Sequence, residues 1–154
     1  MLDLFERLLL LKRSAMFSAV TTDDLRFVAR ALNEAKYFAG ERVFDIGDQG
    51  DELFLLVEGR VGISIAQDPT STDFIAILGP GDCFGEMNML DDLPRSATAH
   101  VLEDATVLVL GKSRLRGIIL SYPEISIGML RSLSLRLREA NLRSLNTPAR
   151  GHGE

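Results

Sequence analysis

Between Ala35 and Leu110 the apolar residues change period, and that change constrains the fold more than any other feature of the chain. Short β-prone pieces at Tyr37-Phe38, Arg42–Asp45, Leu53–Val57, Val61–Ala66, Phe74–Leu78, Cys83-Phe84, Ala97–Val101 and Thr106–Leu110 alternate with Gly, Asp and Pro punctuation. About eight short strands at that spacing predict an antiparallel sandwich or jelly roll. Helical periodicity flanks this region on both sides.

On the N-terminal side, residues 2–14 carry Leu4, Leu8 and Leu11 on one stripe, with Phe5 and Leu9 beside it. Thr21 or Thr22 with Asp24 reads as an N-cap for a helix to about Leu32, on Leu25, Val28, Ala29 and Leu32. On the C-terminal side Ser113 reads as the cap of a short helix through Leu120, which Tyr122-Pro123 breaks. Pro123 then suits the first turn of a final helix to about Leu145. Leu130, Leu133, Leu137 and Ala140 form one stripe along it, with Leu135, Leu142 and Leu145 off that stripe. One domain face covers one stripe, so the surplus predicts a two-fold homodimer through this helix. The competing expectation is that Leu4, Leu8 and Leu11 cover the surplus within one chain. The expected layout is one domain: an N-terminal helical segment (1–34), a β region (35–112), C-terminal helices (113–146) and a disordered tail (147–154).

The chemistry concentrates in Gly79-Pro-Gly-Asp-Cys-Phe-Gly-Glu-Met-Asn-Met-Leu-Asp-Asp-Leu-Pro-Arg-Ser-Ala-Thr98. Glu86 to Leu90 is long enough for about one helical turn. Gly85 stands before that turn, where a Gly lets a ligand approach backbone amides that have no intrahelical acceptor. A helix start of this kind attracts anions. Arg95 adds a planar, permanently charged fork suited to a phosphate. Glu86, itself an anion, makes sense as the acceptor for a hydroxyl such as a ribose 2′-OH. Together these groups describe a nucleotide. Neither a GxGxxG fingerprint nor a Walker-type Gly-Lys-Ser/Thr is present.

Composition closes off other classes. The formal charge of −5 argues against a general nucleic-acid surface. A single cysteine, Cys83, excludes an intramolecular disulfide framework. His100 and His152 are the only histidines, so a histidine metal site, and with it a cupin-like metalloenzyme, is not expected. No apolar run reaches membrane-spanning length. Leu8 to Leu11 is preceded by Asp3, Glu6 and Arg7 and lacks a small-residue cleavage site, unlike a signal core. With no nucleophile–base or acid–base pair in view, the expectation is a non-catalytic, soluble, cytoplasmic protein.

Phe84-Gly85-Glu86 followed by Pro94-Arg95-Ser96-Ala97-Thr98 resembles the phosphate-binding cassette of cyclic-nucleotide-binding domains. Met16-Phe17-Ser18 with Asp23-Asp24-Leu25 resembles that family's helical entry. Gly47-Asp48 through Asp51, and Glu58-Gly59-Arg60-Val61, resemble its early strands and turns. The resemblance runs over roughly residues 10–145. It implies an eight-stranded antiparallel β-roll with N-terminal helices, a short cassette helix and two C-terminal helices.

It also implies a cyclic nucleotide as ligand, with cAMP favoured over cGMP, and no metal. Arg95 would bind the cyclic phosphate, with backbone amides from Gly85 through Glu86 and Met87 to Asn88, that of Ala97, and the Ser96 hydroxyl. Glu86 would take the ribose 2′-OH. Ile63, Ile75 and Leu78 would lie against the base, with Arg136 on the base side. Removal of Arg95 is expected to weaken binding with little change in folding. One departure is Asn88, where the family usually has Ala or Ser; an Asn there either hydrogen-bonds the ligand or crowds it. No residues are left after the final helix for the helix-turn-helix that family transcription regulators carry. The resemblance therefore implies a sensor module whose flanking helices shift on binding and signal to a downstream protein partner. The alternative is a degenerate roll that serves only dimerisation or protein interaction.

Overall fold

A computed structural model describes residues 2–146; the expected disordered tail, 147–154, lies outside the described residues. Helices α1 (Leu4–Arg13) and α2 (Thr22–Arg30) precede six strands. These are β1 (Asn33–Tyr37), β2 (Arg42–Phe44), β3 (Glu52–Ser64), β4 (Ala76–Leu78), β5 (Cys83–Phe84) and β6 (Thr98–Gly111). A 3₁₀ turn, Glu86–Met89, follows β5, and helices α3 (Lys112–Ser121) and α4 (Glu124–Asn146) follow β6. The strands pair antiparallel in the order β1-β6-β3-β4, with β2 also on β6 and β5 also on β3. The chain thus forms the expected mainly β fold with flanking helices.

Eight β-prone pieces become six strands because two pairs fuse. Leu53–Val57 and Val61–Ala66 belong to the single strand β3, and Ala97–Val101 and Thr106–Leu110 to β6. The intervening Glu58-Gly59-Arg60 does not turn the chain. The two long strands stay paired through it, with register shifts between Leu56, Glu58, Arg60 and Val61. Such irregularities bend a ribbon without ending it. Gly59 makes this one possible: it adopts φ +96°, and a Cβ there would sit 2.5 Å from the Asp104 carbonyl oxygen. Gly59→Ala is expected to lower stability by about 2 kcal/mol or more, from left-handed strain plus the backbone clash. Urea unfolding measures it; an unchanged midpoint would mean that the irregularity relaxes around a methyl group.

The core has two parts, separated by the pleat of the long strands. Leu53 and Leu55 of β3 and Leu108 and Leu110 of β6 pack with Phe17, Leu25 and Val28 on the helical side. Phe54, Leu56, Val101 and Val107 turn inward and pack with Phe84. A sheet covered on both faces reads as a continuous apolar run, as Leu53–Val57 does.

Helix starts follow the residues only in part. Asp3 and Glu6 form a capping box on α1, and Thr21 Oγ1 accepts from the Asp24 amide at the start of α2. Ser113 does not cap α3. Strand β6 runs directly into that helix, whose N-cap is Gly111, and the Lys112 amide donates to the Asp51 carbonyl at 2.7 Å.

The packed face of α4 also differs from the expected leucine stripe. Ile125, Met129 and Ser132 are buried, whereas Leu130 and Leu137 are 62% and 63% exposed. Gly128 brings α4 against the backbone of Val20, where a Cβ would sit 2.9 Å from the Val20 Cα. Ser132 Oγ accepts from the Ala19 amide and donates to the Gly128 carbonyl. Two small residues make this contact, and hydrophobic periodicity gives small residues little weight. Leu4, Leu8 and Leu11 pack into the core beside α2.

Candidate functional site

The loop from β2 to β3 and the segment after the 3₁₀ turn converge on Arg95. Its backbone is fixed by Gly47, whose amide donates to the Arg95 carbonyl, and by the Asp48 carbonyl, which accepts from the Arg95 amide. The guanidinium lies beneath the turn: Nη1 donates to the Gly85 carbonyl at 3.2 Å and to Asn88 Oδ1 at 3.1 Å, and Nη2 donates to the Glu52 carbonyl at 3.0 Å. The Phe44 ring lies 4.1 Å from the guanidinium carbon, at cation–π distance. Phe54 and Phe84 stack behind it at 5.0 Å. Two glycines make room for this cradle. A Cβ on Gly50 would overlap Arg95 Nε, and one on Gly85, at φ +77°, would lie 2.7 Å from Nη1.

Arg95 is 5% exposed, yet Nε has no hydrogen-bond partner. Burial pulls its pKa below the ordinary guanidinium value, while the charges of Glu52, Asp51 and Asp48 act in the opposite sense. It remains a cation.

Above the cradle is a cavity of about 220 Å³. Its walls are Ile63 and Leu78 from the sheet, the turn from Gly85 through Glu86 and Met87 to Asn88, and Arg95, Ser96 and Ala97. Nine of the eleven residues singled out in the sequence line this cavity: Ile63 and Leu78 reach it from the sheet, and the seven cassette residues build the rest. Ile75 does not line it and is 62% exposed. Arg136 lines a second cavity of about 280 Å³, on the far side of Glu86, and places Nη1 3.8 Å from Glu86 Oε1.

Glu86 has no hydrogen bond within the described residues, so its half-buried carboxylate is available at the cavity wall. Asn88 lines the cavity but does not stand free. Its Nδ2 donates to the Leu93 carbonyl at 2.6 Å and its Oδ1 accepts from Arg95, so it ties the turn to the arginine. Phe44, Cys83 and Phe84 also line the cavity. Cys83 and Phe84 lie inside the cassette stretch, but Phe44 comes from a separate strand with no local signal. Burial raises the Cys83 thiol pKa, with Glu86 adding in the same direction, so the thiol stays protonated. Among the described residues no group of three or more His, Cys, Asp or Glu is placed to hold a metal, and no helix is long and apolar enough to cross a membrane.

Residues 34–122 match the cyclic nucleotide-binding domain family, and the chain belongs to that family. It is 30% identical over 132 residues to a CRP-like cAMP-activated global transcriptional regulator of Mycobacterium tuberculosis, covering 86% of this chain and 59% of the relative. The N-terminal domain of a transcriptional regulator from Streptomyces coelicolor superposes with a TM-score of 0.76 at 29% identity, over 86% of this chain and 94% of that one. The regulatory domain of Toxoplasma gondii PKA with cAMP superposes with a TM-score of 0.68 at 26% identity, over 77% of this chain and 46% of that one. The chain therefore spans about three fifths of the length of the curated relative it matches.

Proposed function

We propose that this cyclic nucleotide-binding domain is a non-catalytic, cytoplasmic sensor of cAMP that acts as a homodimer. The observation carrying the proposal is that the Arg95 guanidinium and the Glu86 carboxylate line one cavity, a cation and a hydroxyl acceptor side by side. Of the five N–H donors of Arg95, three are committed, and Nε has no acceptor. Across the turn, Glu86 offers a carboxylate that makes no hydrogen bond among the described residues and meets Arg136 only at 3.8 Å. A cyclic phosphate supplies the acceptors and a ribose 2′-OH supplies the donor. The first amides of the turn, the Ala97 amide and the exposed Ser96 hydroxyl complete the phosphate shell, and Ile63 and Leu78 offer apolar surface to the base.

The preference for cAMP draws on the relatives, which include a cAMP-activated regulator and a kinase regulatory domain with cAMP. Signalling would run through Arg136: ligand that takes up Glu86 loosens its 3.8 Å ion pair with α4, and the helix packing responds. A downstream protein partner would read that change. The competing reading is a ligand-free interaction module. It draws support from the three intrachain bonds of Arg95, which give that residue a structural role without any nucleotide.

Calorimetry with cAMP and cGMP decides between the two readings. One site per chain with tighter cAMP is expected, and the absence of heat with both nucleotides would establish the interaction module. A second titration isolates Glu86. 2′-Deoxy-cAMP should bind the parent at least about tenfold more weakly than cAMP, because a half-buried acceptor is left unpaired. Glu86→Ala should bind the two ligands alike. Equal binding of both to the parent removes Glu86 from the site.

A further inference from the structure

A groove of about 410 Å³, which shares no lining residue with the nucleotide cavity, lies between the 3₁₀ turn and helices α3 and α4. Its floor is Met89, Leu115 and Met129, each at most 5% exposed. Its rim carries Leu90 and Leu120, which are 54% and 70% exposed. Two cations also stand on the rim. Lys112 Nζ donates to the Asp91 carbonyl and to Asp92 Oδ1 at 2.7 Å, whereas Arg116 has no hydrogen-bond or ion-pair partner among the described residues.

From this arrangement we propose that the groove is a second ligand site, for a small anionic amphiphile of the medium-chain carboxylate class. Three features select that chemistry. A buried apolar floor takes an alkyl chain and gains about 0.8 kcal/mol for each methylene removed from water, which exposed Leu90 and Leu120 extend by folding over it. The volume falls within the ~300–1,000 Å³ of small-molecule sites, and a pit with a closed floor suits a flexible chain better than it suits a helix or a flat protein face. The unpartnered Arg116 beside Lys112 gives a carboxylate its counter-charge, and the single acidic residue on the rim, Asp92, is already held by Lys112. The site touches the cassette through Met89 and the C-terminal helices through Met129, so an occupant meets both elements at once.

The five methionines of the chain supply the test. In protein labelled with ¹³C at the methionine methyls, decanoate below its micellar concentration is expected to shift Met89 and Met129 while leaving Met16, in the main core, unmoved. Met87, which lines the nucleotide cavity, should move with cAMP instead. Decylamine, of opposite charge, should bind about tenfold or more weakly. Arg116→Glu, at an exposed position, should weaken decanoate by a similar factor and leave cAMP binding unchanged. The proposal is overturned if decanoate leaves Met89 and Met129 unmoved, if it moves Met87 alone, or if decanoate and decylamine bind equally. Because the readout does not pass through the nucleotide, a failure of the cAMP reading would show separately at Met87.

Discussion

Arg95→Ala is expected to weaken cyclic-nucleotide binding by roughly one and a half to three and a half decades, the equivalent of about 2–5 kcal/mol for a charged partner taken from a phosphate. The cradle adds a second effect that the residues alone do not suggest. Arg95 is buried and holds the Gly85 and Glu52 carbonyls and the Asn88 side chain. Without it, one buried and two part-buried acceptors lose their donor, and hydrogen bonds to a charged group are worth about 1.5–3 kcal/mol each at most. The variant should therefore also unfold at lower urea, against the expectation of unchanged folding. Arg95→Lys sorts the two effects: it keeps the charge but has neither the planar fork nor the reach to three acceptors. Calorimetry and urea unfolding on the same preparations provide the measurement. Parent-like nucleotide affinity in Arg95→Ala would remove this residue from the site.

The cassette was legible because its chemistry is contiguous in the chain. Gly85, Glu86 and Arg95 lie within one short stretch of chain, and each has one dominant physical use. What supports them was not legible. Phe44, the Glu52 carbonyl and the space at Gly50 reach Arg95 from the β2–β3 side, and only the fold brings them there. Asn88 shows the same limit from inside the motif. Read alone it is a group that contacts or crowds a ligand; in place, both ends of its amide are bonded to the protein. Strand count failed for a related reason. Gly59 between two apolar pieces reads as a turn, and only the pairing partner β6 shows that the strand continues past it. The family resemblance puts Ile75 against the base, but side chains alternate along an extended chain, and Ile63 and Leu78 line the cavity where Ile75 stands 62% exposed outside it.

Dimerisation is the second large effect expected, and the packed face of α4 decides where it acts. Ile125, Gly128, Met129 and Ser132 turn toward the domain. Leu135 and Leu142 continue along that side, where they line a groove with Ala15 and Ser18. Leu130, Leu133, Leu137 and Ala140 fall three and four residues apart, the spacing of a coiled-coil seam, and Leu130 and Leu137 stand exposed while Leu133 is half-buried. The seam is therefore the face left for a second copy, and Leu135, Leu142 and Leu145 are not its centre. Leu130→Glu with Leu137→Glu places four carboxylates across a two-fold interface and is expected to convert a dimer into a monomer at tens of micromolar, read by light scattering. Leu135→Glu with Leu142→Glu should leave the dimer in place. The reverse pattern would put the interface in the groove beside Ala15, and a parent that is monomeric with and without cAMP would end the proposal. Because Arg136 lies on this same helix, 3.8 Å from Glu86, a dimer built on the seam would bind nucleotide with an affinity that the Leu130/Leu137 variant changes, and the linkage must run equally in both directions.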